Sequence, residues 1–100
     1  MAYNLDKTPL PVLLLTPLEL DVLEAAEYVK FGELLGVALA PGKPQIQRQV
    51  TTTQASFIQA VRENGLTWVD AIIVHNGAPQ QIEIEGTHGI IKYKRKLRFN

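Results

Sequence analysis

The sequence predicts an α+β domain: two helices packed with a mainly antiparallel sheet that ends in a C-terminal three-strand meander. Three observations predict it. Thr16-Pro17-Leu18-Glu19 opens one stretch of helically spaced apolar residues, and Thr51 to Thr53 opens a second. From Leu66 onward the apolar residues alternate with polar ones through two turn signals, the pattern of paired strands.

One hundred residues with 46% hydrophobic and 20% charged side chains make a single domain over 1–100, able to bury a core without staples. Residues 1–9 read as a loose arm ending at Pro9. Val12–Leu15 is a continuous apolar run, suited to a short strand buried on both faces or an extended segment on the core. Pro11 and the nearby charges Glu19 and Asp21 argue against a signal peptide. No segment reaches the roughly 20 apolar residues that span a bilayer. The expectation is a cytoplasmic protein with no membrane contact.

Thr16 and Glu19 form a capping box, with Pro17 at the first helical position, where its missing amide costs nothing. Glu19, Asp21, Glu24 and Glu27 sit toward the helix start, which favours negative charge. Leu18, Val22, Ala25, Ala26 and Val29 make one stripe; Leu20, Tyr28 and Phe31 make a second, so the helix is expected to pack on two sides. Gly32 or Gly36 is expected to end it. Val37–Ala40 and Gln45–Val50 read as strands around the turn Pro41-Gly42-Lys43-Pro44, the second with Ile46 and Val50 inward and three glutamines outward. A helix follows over 54–64 with Phe57, Ile58 and Val61 on its core face, stopped by Asn64-Gly65.

The meander spans 66–98, as strands Leu66–Val74, Gln80–Glu85 and Ile90–Arg98. Asn76-Gly77 is a strong hairpin signal because both positions accept positive φ. A turn about Thr87-His88 pairs Ile84 with Ile91, Glu83 with Lys92 and Ile82 with Tyr93. Ile82, Ile84, Ile91 and Tyr93 then share the core face with Val69, Ala71 and Ile73. Trp68, Ile72 and Val74 fall on the outer face, an apolar strip that the N-terminal elements or another chain must cover.

Without cysteine there are no disulfides, thiolate metal sites or cysteine nucleophiles. His75 and His88 lie at opposite ends of the strand Gln80–Glu85, about 20 Å apart at strand rise, too far to share an ion. Ser56, the one serine, lacks a nucleophile elbow. Gly36 to Lys43 has the wrong spacing for a phosphate loop, and Pro44 replaces its hydroxyl residue. Glu83 and Glu85 share a face, but an ion pair with Lys92 explains the former. Ala25 to Val29 fits the opening of a helix-turn-helix over five residues only, and the segment after it lacks base-reading side chains. No catalytic residue, metal ligand or cofactor is expected, and the chain is not read as an enzyme.

The ten acidic and ten basic side chains are unevenly placed. Residues 1–86 carry a net −5 and residues 87–100 a net +5. Lys92, Lys94, Lys96 and Arg98 share one face of the last strand, with Arg95 and His88 nearby. These six are the candidate binding surface; Trp68, Ile72 and Val74 are the candidate apolar interface. A small non-catalytic interaction or adaptor protein is the expected function, binding a protein partner or a second copy of itself. The alternative is weak nucleic-acid binding through the basic strand, weak because it makes few phosphate contacts and salt-sensitive because those contacts are electrostatic.

Overall fold

A computed structural model of the chain describes residues 10–39 and 42–99, and only the backbone at Thr87 and His88. In chain order the elements are β1 (Val12–Leu15), α1 (Pro17–Val29), β2 (Gly32–Ala38), β3 (Ile46–Gln49), α2 (Thr52–Glu63), β4 (Trp68–His75), β5 (Ala78–His88) and β6 (Ile91–Arg98). β1 and β3 pair as a small antiparallel sheet. The main sheet has the order β2-β4-β5-β6 and is antiparallel throughout, so β4, β5 and β6 form a meander and β2 and β6 are its edges. The fold class is α+β, as the sequence predicts. The expected arm over 1–9, and Ala40 and Pro41 of the expected strand and turn, lie outside the described residues.

Both helices begin at a side-chain cap, α1 where the sequence predicts it and α2 at the first of the three candidate threonines. The Thr16 hydroxyl accepts from the Glu19 amide at 3.1 Å while the Glu19 carboxylate accepts from the Thr16 amide at 2.9 Å. Thr51 and Gln54 repeat the exchange at 3.1 and 2.9 Å, which starts α2 two residues earlier than 54. Gly65, at φ +62, closes α2 as expected. The end of α1 differs. Lys30 takes φ +67 and returns its amide to the Ala26 carbonyl, so the helix stops before either glycine and Gly32 opens a strand. The second stripe holds only at Leu20, which packs against the core: Tyr28 and Phe31 are exposed, whereas Leu23, on neither stripe, is buried in the core. β1 is not buried on both faces either, since Val12 and Leu14 are about half exposed.

The core gathers Leu15, Val22, Leu23 and Ala26 with Phe57, Ile58 and Val61 of α2 and with Val69, Ile72, Val74, Ile82, Ile84 and Phe99. Phe57 and Phe99 meet edge to face at 5.5 Å.

The meander carries the main corrections. Asn76 (φ +53) and Gly77 (φ +78) form the expected two-residue turn, with His75 opposite Ala78. A bulge then shifts the register between Ile73 and Val74, leaving one extra residue on β5 beside Pro79, whose missing amide suits an irregular position. That residue inverts the parity of β4. Ile72 therefore lies opposite Ile82 in the core rather than on the outer face, and Ile72 and Val74 are 0% and 3% exposed. Val69 belongs to the same cluster, so strict alternation also breaks between Val69 and Ile72. Gly36, which lies across from that break, has φ +58, a kink that only glycine takes readily in a strand.

The second hairpin is longer than expected. Its turn is Gly89-Ile90, so Glu83 faces Lys96 and not Lys92, Ile84 faces Arg95 and not Ile91, and Ile82 faces Leu97 and not Tyr93. Face parity survives this shift, but depth does not. β5 has its last β4 partner at Glu83, so the segments Ile84–His88 and Ile91–Arg95 pair only with each other. Ile91 and Tyr93 extend past the core and are exposed; Leu97 and Phe99 fill the interior instead.

Candidate interaction surface

The basic row is real as a geometric feature, and it is an edge. Lys92, Lys94, Lys96 and Arg98 alternate along β6, exposed, with no strand among the described residues beyond them. Their partners across β5 are Thr87, Glu85, Glu83 and Gln81. Both acids thus oppose the two central lysines. Lys92 and Arg98 at the ends have no acid opposite them, and cross-strand pairs in so exposed a geometry are worth at most about 1 kcal/mol. Arg95 has the opposite parity, and its aliphatic stem lies with the Tyr93 ring over Gly86, where a Cβ would come within 2.7 Å of Tyr93. The structure therefore does not gather the five cations on one side. His88 pairs with Ile91 at the hairpin end; its side chain is not described.

The apolar candidates separate in the same way. Ile72 and Val74 are covered by the chain itself and withdrawn from any interface, while Trp68 is 56% exposed. Trp68 lies opposite Ala38, and a Cβ on Gly36 would approach its ring at 3.3 Å, so the indole covers the β2 glycine.

That places Trp68 beside a surface the sequence reading missed. β2 is the other edge of the main sheet, and Glu33 is its one charged residue. Leu35 is 73% exposed, and Phe31 just before the strand is also exposed. Between β2 and α1 runs a groove of about 580 Å³, lined by Leu18, Val22 and Ala25 from the helix and by Leu34 and Val37 from the strand. Two acids, Asp21 and Glu33, also line it. The signal was present in the sequence. Gly32 and Gly36 both disfavour continuing α1, which frees the residues between them for a strand.

The other acids of α1 are committed. Glu24 and Glu27 approach Arg48 at 3.3 and 3.7 Å, and Glu27 also accepts from Gln54 Nε2 at 2.8 Å. Glu19, 1% exposed, accepts from Arg62 Nη2 at 2.7 Å and Nε at 3.0 Å. Burial pushes the Glu19 carboxyl upward, but the Arg62 and Thr16 hydrogen bonds and the Arg62 charge outweigh it, so its pKa falls below its ordinary value. Arg62 Nη2 also reaches the Leu14 carbonyl at 2.6 Å, tying β1 to both helices. This is structural wiring. Asp21 and Glu33 have no such partner among the described residues.

Among the described residues no group of three or more His, Asp or Glu side chains could hold a metal ion, and no helix is long and apolar enough to cross a membrane. His75 packs edge to face on Phe31 at 5.0 Å. No protein-family model, curated protein or solved structure matches this chain.

Proposed function

We propose that this chain is a small non-catalytic interaction module that works through protein–protein contacts, a second copy of itself included among its partners. One observation carries the reading: among the described residues the main sheet ends in two open edges, and one of them, β2, is nearly uncharged and borders an apolar groove. An unpaired row of backbone donors and acceptors is a template for another strand. Natural edges are commonly blunted by lysine, and β6 has that protection while β2 does not. A cytoplasmic setting belongs to the same proposal and is in keeping with a chain built without cysteine.

The competing reading, nucleic-acid binding by β6, draws on the basic row and on the paired ribbon that extends beyond the sheet. It is weakened by Glu83 and Glu85, which stand opposite Lys96 and Lys94. A titration of labelled single-stranded RNA and duplex DNA decides between the two. The expected result is a Kd no tighter than roughly 10⁻⁵ M near physiological salt, as for unspecific phosphate contacts. Submicromolar binding that strengthens at low salt and disappears in Lys94→Glu/Lys96→Glu would replace the interaction-module reading with the nucleic-acid one.

A further inference from the structure

Resting on the interaction-module reading, the geometry points to the β2 edge and the α1–β2 groove as a site that accepts an extended peptide as an added strand, one with apolar side chains two residues apart and flanking lysine or arginine. The backbone of β2 supplies the first requirement. Its inner side is paired with β4 from Gly32 to Ala38, and no hydrogen bond among the described residues occupies its outer side. A strand laid there would send alternate side chains to the same face, at a repeat of about 7 Å. The groove on the helix side offers Leu18, Val22, Ala25 and Leu34 to receive them.

Charge selects the occupant. Asp21 and Glu33 line the groove and are the acids of this region without a cationic partner among the described residues. A basic segment satisfies both, and an acidic one meets two like charges. The same acids disfavour a second copy of β2. Antiparallel pairing of two β2 strands, with the two-fold axis perpendicular to the sheet, leaves both α1 helices on one face of the joined sheet, each bringing an Asp21 without a cationic partner among the described residues. The β6 edge does not compete for strand addition by a basic peptide, because its outward row is itself basic.

Trp68 makes the site measurable. It is the single tryptophan, it is exposed, and it sits over Gly36 in β2. The probe is a synthetic seven-residue peptide, acetylated and amidated, with two valines separated by one residue, a lysine on either side and threonine elsewhere. Titrated into the full chain, it should shift Trp68 emission to the blue, saturate, and slow amide exchange at 34–37. Replacing its lysines by glutamate, or using the Asp21→Lys/Glu33→Lys variant, should weaken binding about tenfold, the size of two reversed surface charge contacts. N-methylation of alternate backbone amides in the probe should abolish binding, since strand addition needs those donors.

Equal binding by the acidic or N-methylated peptide would overturn the inference, as would a Trp68 shift on concentrating the protein alone, which would make a second copy the occupant. Lack of response to the lysine peptide while photocross-linking at Leu35 still captures a protein would sink the peptide assignment and leave the interaction-module reading standing. Lack of both would sink the two together.

Discussion

Arg62→Met is expected to destabilise the fold by about 2–3 kcal/mol in chemical denaturation, below the full cost of breaking a buried ion pair because the arginine is partly exposed. The loss comes from Glu19 rather than from the arginine. Its carboxylate is 1% exposed, and removing the guanidinium leaves a buried charge held only by the Thr16 amide. The pH dependence carries the same signature. Glu19 is depressed below 4.5 in the folded chain, so its contribution is fully present above that value and is lost as pH falls through the folded pKa. Arg62→Met removes the hydrogen bond and charge that lower the Glu19 pKa while burial still raises it, so the folded-state pKa is expected to be higher in the variant than in the parent chain. The stability gap between the two proteins therefore narrows as pH falls from 7 toward 4. A gap that is constant over that range would mean that the cost is lost packing alone.

Phe57→Ala is expected to cost about 3–4 kcal/mol, the range for emptying a fully buried aromatic site. Phe57 is completely buried on α2 and meets Phe99 just after β6, whose amide donates to the Gln80 carbonyl at 2.8 Å. The basic strand is thus anchored at its end by the core. Phe99→Ala should also destabilise, and a double-mutant cycle should give a coupling of about 0.5–1.5 kcal/mol for the edge-to-face pair. Additive losses would show that the C-terminal anchor is independent of α2. The consequence for function is direct: β6 cannot act as a detachable cationic tail without the fold losing part of its core.

What the sequence revealed, and what it hid, follows from how far each signal reaches along the chain. The capping box at Thr16 and the turn at Asn76-Gly77 are written within four residues, and the structure has both where they are read; the threonine run 51–53 signals a cap without choosing its residue, and the structure chooses Thr51. Face parity along β5 and β6 was equally legible, because a period of two survives any even shift in register. Register was not. Moving the turn from Thr87-His88 to Gly89-Ile90 preserves every face yet carries Ile91 and Tyr93 beyond the core and brings Leu97 and Phe99 into it. The bulge beside Pro79 is a one-residue event with no signature strong enough to outweigh simple alternation, and it alone moved Ile72 from the surface to the interior. The β2 edge was obscured by continuity with α1. A lysine, not a glycine, ends that helix in the left-handed region, and the stretch Glu33-Leu34-Leu35 suits a helix as well as a strand. The candidate site shifted accordingly, from a basic row with acids opposite its two central lysines to an apolar edge bordered by Asp21 and Glu33.

The claim that this chain acts through protein contacts at an open sheet edge is tested most directly by photocross-linking in its native cell. A benzophenone side chain is placed at Leu35 on β2, with Gln59 on the exposed face of α2 as the comparison position. The account predicts a discrete protein adduct from Leu35, sensitive to protease and absent from Gln59. No adduct at Leu35, or one removed by nuclease, would contradict it.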